Sequence, residues 1–306
     1  MKAVMRMVYK DAKVYSDGSH YIAIPYYPKP KRRKTLKDTN TQKGDNGYEE
    51  VNLKEIFEQT YHESQKLKKS ERKDFIENAI KPYIENEQLT KQFVDENIQR
   101  KRTNAIARKV RLVRKMNLQD WDYFCTFTYD SQKHTEDSFR KQLTTCLRHL
   151  ATRKGWKYIG VWERSPGKER LHFHGIFHIP NNAMIGELVA TKDYNTKSHR
   201  MQLIYSNTHF KSRFGRNDFK PIAIQQDLSR ALNYVTKYME KSGEKIVYSR
   251  GLPTYFKSDI LDAEVLCVYG VDDRKLILAD NFTCIKDGEI IGTVSRESIE
   301  QMNKSN

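Results

Sequence analysis

The segment Leu171-His172-Phe173-His174-Gly175 constrains the fold of this chain most. Its period of two is that of a β-strand with one buried face. Residues two apart on a strand share a side, so His172 and His174 present their imidazoles together while Phe173 points into a core. Val161-Trp162-Glu163 precedes the loop Ser165-Pro166-Gly167-Lys168-Glu169-Arg170. A hairpin through that loop brings Glu163 opposite His172, with Cβ atoms ~5 Å apart. Two imidazoles and a carboxylate are a donor set for one divalent ion. An isolated His-x-His pair recurs by chance, and Glu163 on a partner strand is what raises it to a metal-site expectation. His178 shares the parity of His172 and His174 but lies four residues on, ~13 Å along a strand. It reads as a strand-end or DNA-contact residue.

A second constellation lies on a helix expected over residues 225–242, which Gly243 can terminate. At 100° per residue Leu228, Leu232, Val235 and Met239 form one apolar stripe, with Ala231 at its edge. Tyr234 and Tyr238 stack one turn apart along its flank, beside Lys237 and Lys241. Alone, this pattern describes two amphipathic tyrosines edging a core, with lysines in solvent. A phenol with a pKa near 10 is a poor nucleophile at neutral pH. It needs cations nearby and a metal that withdraws charge from the phosphate under attack. The two constellations supply each other's missing part.

Charge points to the partner class. The 306 residues carry a formal charge of +16, from 55 Lys and Arg against 39 Asp and Glu. Residues 245–306 are slightly acidic, with 8 basic and 10 acidic residues, so a nucleic-acid face is expected in the first 244. Residues 97–119 contain Arg100, Lys101, Arg102, Arg108, Lys109, Arg111, Arg114 and Lys115 and no acid. Ile106, Val110 and Val113 recur there at helical spacing, which predicts a basic amphipathic helix. Arg108, Arg111 and Arg114 are candidate phosphate contacts. No run approaches the ~20 apolar residues of a spanning helix. The first 13 residues are charged where a signal peptide would be apolar. Four cysteines without a Cys-x-x-Cys pair make neither a disulfide framework nor a cysteine zinc site. The expectation is a reduced, cytoplasmic protein that meets polyanions.

Along the chain, residues 1–28 read as a β-hairpin with an Asp17-Gly18 turn, and 29–48 as a basic flexible loop. Residues 49–119 read as a helical, basic segment with a break at Lys81-Pro82. Strand, helix, strand and strand follow at Tyr123–Thr128, 135–154, Lys157–Arg164 and 171–179. Residues 180–224 read as irregular. Within them Phe210, Arg213, Phe214 and Arg216 interleave aromatics with cations, as a surface that stacks unpaired bases would. Residues 246–306 read as a small, β-rich, acidic segment. The order predicts an α+β fold with an antiparallel sheet in residues 120–245.

These motifs resemble the HUH endonucleases, specifically the rolling-circle replication initiators of small phages and plasmids. The family's first motif is matched by Phe124-Cys125-Thr126-Phe127-Thr128-Tyr129-Asp130, its second by His172-Phe173-His174, and its third by Tyr234 with Lys237. The second Tyr-x-x-Lys, Tyr238 with Lys241, resembles the two-tyrosine initiators of small single-stranded DNA phages. The resemblance covers roughly residues 121–243. It implies an antiparallel sheet with flanking helices, extended here by a mainly helical N-terminal region. It implies a nick in single-stranded or origin DNA, a tyrosine joined to the 5′ phosphate, and a free 3′-OH for replication.

On that resemblance His172, His174 and Glu163 hold Mg²⁺ or Mn²⁺, Tyr234 and Tyr238 are nucleophiles, and Lys237 and Lys241 offset charge. Thr126 and Thr128 lie on the strand that flanks the site, in support. No GxxxxGK[ST] loop occurs. No nucleotide cofactor is therefore expected, and a host helicase and polymerase are expected as partners. Rival readings are an HUH transposase or relaxase, a His/His/Glu metal oxygenase, and a nucleic-acid-binding protein without catalysis.

Overall fold

The computed structural model describes residues 7–27, 52–84, 86–165, 170–195, 199–223, 229–231, 233–236, 246–270 and 274–305. The expected basic loop at 29–48 lies outside them. The chain divides into two compact units, one of residues 1–26 with 109–306 and one of residues 27–108. The architecture is α+β, with antiparallel sheets and a helical N-terminal region.

The unit of residues 27–108 is helical. It contains α1 (Leu53–Glu63), α2 (Lys69–Ile80) and the start of α3 (Glu87–Asn117). Pro82 lies in a 3₁₀ turn that follows α2, where its missing N–H costs no helical bond. Phe57, Ile76, Ile80 and Val94 form a small core.

In the larger unit, β1 (Met7–Ser16) and β2 (Tyr21–Ile24) form the expected hairpin. Gly18 takes a left-handed φ of 93° in its turn. This hairpin joins strands from the other end of the sequence. β1 pairs antiparallel with β10 (Pro253–Leu261), and β2 with β12 (Lys275–Leu278). The sheet also includes β11 (Val265–Tyr269), β13 (Thr283–Lys286), β14 (Glu289–Thr293) and β15 (Asn303–Ser305). Ala12, Val14, Ala23, Phe256, Ile260 and Phe282 are among its core residues.

The second sheet carries the candidate site. Its order is β8-β3-β5-β4-β9, from β3 (Tyr123–Thr128), β4 (Lys157–Arg164), β5 (Leu171–His178), β8 (Asn217–Pro221) and β9 (Val247–Tyr248). All its pairings are antiparallel. One face is apolar at alternate positions: Cys125, Phe127, Tyr158, Trp162, Phe173, Phe177 and Phe219. The helix α4 (Glu136–Lys154) covers it with Phe139, Leu143, Leu147 and Leu150. Thr135 caps that helix, accepting a hydrogen bond from the Ser138 N–H, and Gly155 ends it at a φ of 71°. Burial of each such Phe contributes roughly 1.5–3 kcal/mol.

Gly160 and Gly175 face each other across β4 and β5 on the same side. A Cβ at Gly160 would lie 2.3 Å from Phe173 Cζ, so the Phe173 ring occupies the space a side chain would take. That packing anchors the residue between His172 and His174.

Residues 180–224 are more ordered than their sequence suggests. β6 (Leu188–Asn195) and β7 (Arg200–Asn207) form a two-stranded ribbon, followed by α5 (Thr208–Arg213) and β8. Val189, Tyr194, Met201 and Leu203 are exposed on the ribbon, so no single buried face imposes a clean alternation on its sequence. The basic helix also differs from expectation. Ile106 is 64 % and Val110 39 % exposed, while Leu112, Lys115 and Met116 are buried. The apolar spacing identified the helix but not its buried side.

Candidate functional site

The other face of the second sheet places side chains in cross-strand rows. Glu163, His172 and Thr128 share one row, on β4, β5 and β3. Val161, His174, Thr126 and Asp218 share the next, and Ile159, Ile176, Phe124 and Lys220 the third. Glu163 therefore stands opposite His172, as the hairpin register predicts.

The two threonines orient the two imidazoles. Thr128 Oγ1 lies 2.7 Å from His172 Nδ1, and Thr126 Oγ1 lies 3.0 Å from His174 Nδ1. With each Nδ1 turned to a hydroxyl, Nε2 is the nitrogen left for other partners. His174 Nε2 lies 3.2 Å from Glu163 Oε2. Burial, then the neighbouring His174, push the pKa of His172 down to about 4. His172 is therefore neutral at physiological pH, the form that can donate a lone pair.

The tyrosine helix reaches this face. Residues 229–231 and 233–236 are helical, and Ala231 and Val235 pack with Ile159, Ile176, Leu112 and Met116. The Tyr234 hydroxyl donates a hydrogen bond to Glu163 Oε2. Its ring meets Phe124 at 5.4 Å and His174 at 5.0 Å, both edge to face. Lys237, Tyr238 and Lys241 lie outside the described residues.

The donor set suits a divalent ion in kind: two neutral-capable imidazoles on orienting hydroxyls and a carboxylate. As the side chains stand, Glu163 turns to Tyr234 and His174, and among the described residues no group of three His, Cys, Asp or Glu is gathered as a metal cluster. A bound ion would need Glu163 to turn from Tyr234.

Cations flank the site. Arg170 and Arg216 both act on His172, depressing its pKa further. Arg170 stacks over the Tyr129 ring at 5.0 Å and donates to the Tyr129 carbonyl. Sequence reasoning passed over Arg170, although it shares the parity of His172. It also passed over Phe124 and over Asp218, whose pKa burial raises.

Arg216 pairs with Asp193, and its side chain keeps 62 % exposure. Arg213 is exposed and lies over the Phe214 ring at 5.2 Å. Phe210 is a correction. It is fully buried, packed at 4.9 Å against Phe127, and cannot stack on DNA bases. Phe214 is buried too. Their spacing of four places both rings on the inward side of α5 and its C-terminal end.

On α3, Arg108 and Arg111 are exposed. Arg114 is half-buried, 3.4 Å from Asp17 and stacked over Tyr15 at 4.2 Å, so it ties α3 to the β1–β2 hairpin. His178 Nδ1 lies 3.1 Å from Asp122 Oδ2, close but outside hydrogen-bond alignment. Among the described residues no helix is long and apolar enough to cross a membrane.

No curated protein and no solved structure matches the chain. Residues 122–243, which run from the start of β3 through the tyrosine helix, match the family model of the replication-associated protein ORF2, a match that supports a replication-initiator, Rep-type protein acting on DNA.

Proposed function

We propose that this chain starts replication by nicking single-stranded DNA through tyrosine transesterification, as the resemblance to HUH initiators implies. One observation carries the reading: the Tyr234 hydroxyl donates to Glu163 Oε2, the same oxygen that faces His174 Nε2. A phenol, a carboxylate and an imidazole thus meet at one point on a basic chain.

In this reading the Tyr234 oxygen attacks the scissile phosphorus. The phosphorus–O3′ bond breaks, a 5′-phosphotyrosine forms, and the departing 3′ oxygen takes a proton. Glu163 Oε2 accepts the phenol proton, directly or by way of water. Arg170 and Arg216 favour phosphate at this end of the sheet by charge. His172, His174 and Glu163 would hold Mg²⁺ or Mn²⁺, which would supply Lewis-acid stabilisation of the phosphate. Thr126 and Thr128 position the two histidines. Tyr238, Lys237 and Lys241 enter on sequence alone, Tyr238 as a second nucleophile and the lysines as counter-charges. The bond energy is kept in the phosphotyrosine, so rejoining needs no nucleotide, while unwinding and synthesis would fall to a host helicase and polymerase.

The test is incubation of the full chain with Mn²⁺ and a labelled single-stranded oligonucleotide pool, read on a denaturing gel and by mass spectrometry. The expected product is a covalent adduct on Tyr234 or Tyr238 with a free 3′-OH partner fragment. Binding without any adduct, on linear and hairpin substrates and with either metal, would overturn the reading.

A further inference from the structure

A cleft of about 210 Å³ opens beside Tyr234, lined by Phe124, Lys220, Pro221, Ile222, Arg230, Ala231 and Tyr234. We propose that it is a nucleobase pocket, which takes an unpaired base adjoining the phosphate under attack. This rests on the nicking reading for its substrate class and adds the place where the strand is held.

Four observations point to a base. The walls are a phenylalanine, a proline, an isoleucine, an alanine and the tyrosine ring, which suit the flat, weakly polar faces of a base. The two charged lining residues, Lys220 and Arg230, are both exposed and both cationic, as a phosphate backbone crossing the rim requires. Phe124 sits two residues from Thr126 on β3, ~6.6 Å along the strand from the His174 row. Finally, Phe124 also forms the edge-to-face contact that holds the Tyr234 ring. The pocket wall and the nucleophile's support are thus one side chain.

The pocket has a functional consequence. A base can enter only if it is unstacked and unpaired, so duplex DNA is excluded by shape. Among the described lining residues, readout rests on stacking, which every base offers.

The experiment uses the full chain in EDTA, where no nicking is expected. The probe is oligo(dT) with 4-thiothymine at every position, so whichever base occupies the cleft is photoreactive. After irradiation, adducts are mapped by mass spectrometry. Cross-links are expected on Phe124, Ile222 or Tyr234. Phe124→Leu keeps apolar volume but removes the stacking surface, and should weaken binding by roughly five- to 150-fold. Lys220→Ala, at an exposed site with no core to disturb, should lower the slope of log affinity against log salt by about one phosphate contact. Cross-links confined to other surfaces, with an unchanged salt slope in Lys220→Ala, would overturn the pocket.

The two readings fail separately. A chain that cross-links in the cleft but forms no tyrosine adduct with Mn²⁺ removes the nicking reaction and keeps the pocket. One that forms the adduct but cross-links only elsewhere removes the pocket alone.

Discussion

Replacing Gly160 by alanine would set a methyl group 2.3 Å from Phe173 Cζ, 2.7 Å from Phe173 Cε1 and 2.7 Å from the His174 carbonyl oxygen. Cβ contacts below 3.0 Å are essentially never seen, so something must move. The Phe173 ring has little room, because Trp162 lies 4.9 Å away edge-on and Phe127 6.2 Å away. The His174 carbonyl is fixed by the β4–β5 register. Overpacking of this kind costs about 1–3 kcal/mol. At about 2–4 °C per kcal/mol for a unit of this size, the midpoint of thermal unfolding should fall by about 2–12 °C. Scanning calorimetry or circular dichroism reads this directly. Phe173→Leu introduced with Gly160→Ala should recover part of the loss, since the ring clash goes and the carbonyl contact stays. The coupling energy from the four-protein cycle should therefore be favourable and of order 1 kcal/mol. An unchanged midpoint in Gly160→Ala would refute the clash. Strictly additive losses would refute Phe173 as its partner. The nicking assay adds a second reading, because displacement of Phe173 shifts both neighbouring histidines.

Thr128→Val keeps the shape of the side chain but removes the hydroxyl at His172 Nδ1; Mn²⁺ affinity measured by calorimetry should fall about 10- to 100-fold, and an unchanged affinity would sink the orienting role. Phe210→Ala should cost about 3–5 kcal/mol in urea unfolding while the folded fraction binds DNA normally, and the reverse pattern would restore a base-stacking role. The Asp122–His178 pair predicts a pH signature. The His178 pKa is raised above 6.5, chiefly by Asp122, so its stabilisation is full below 6.5 and is lost as pH rises through the raised value. Burial raises the Asp122 pKa, but His178 and the Ile179 N–H outweigh it, leaving a value below 3.8, so its stabilisation is full above 3.8 and lost in acid. Asp122→Asn should therefore cost most between pH 4 and 6.5 and less at pH 9; a constant difference across that range would contradict the pairing.

The site was legible where chemistry depends on local period. Alternation around Phe173 put His172 and His174 on one face, and the short Glu163-to-His172 connection left few registers, of which the observed one pairs them. The position of Tyr234 followed from helical spacing, although the contact with Glu163 needed the tertiary fold. Phe210 and Phe214 misled because intervening Lys211 and Arg213 gave them a surface-like composition, while their i, i+4 spacing carried the better signal. The β6–β7 ribbon escaped because both its faces hold polar and apolar side chains. Phe124 looked like an ordinary strand residue until the cleft beside it appeared. The joining of both chain ends in one sheet was not legible at all, since no local pattern encodes a partner more than 240 positions away.

That last pairing governs when the protein can be completed. Tyr9 pairs with Ile260 and Val14 with Phe256, so β1 leaves the ribosome long before its partner exists. At about 5–20 residues per second, the delay is roughly 12–50 s. Throughout it, one long side of the β1–β2 hairpin stays open to other strands, a hazard for any nascent sheet. A message cut short before codon 253 would leave that hairpin without β10, while the sheet with the histidines would already hold its strands from β3 to β9. Full-length translation thus acts as a quality gate on the chain, and the last fifth of the coding sequence decides whether its first strands find a home.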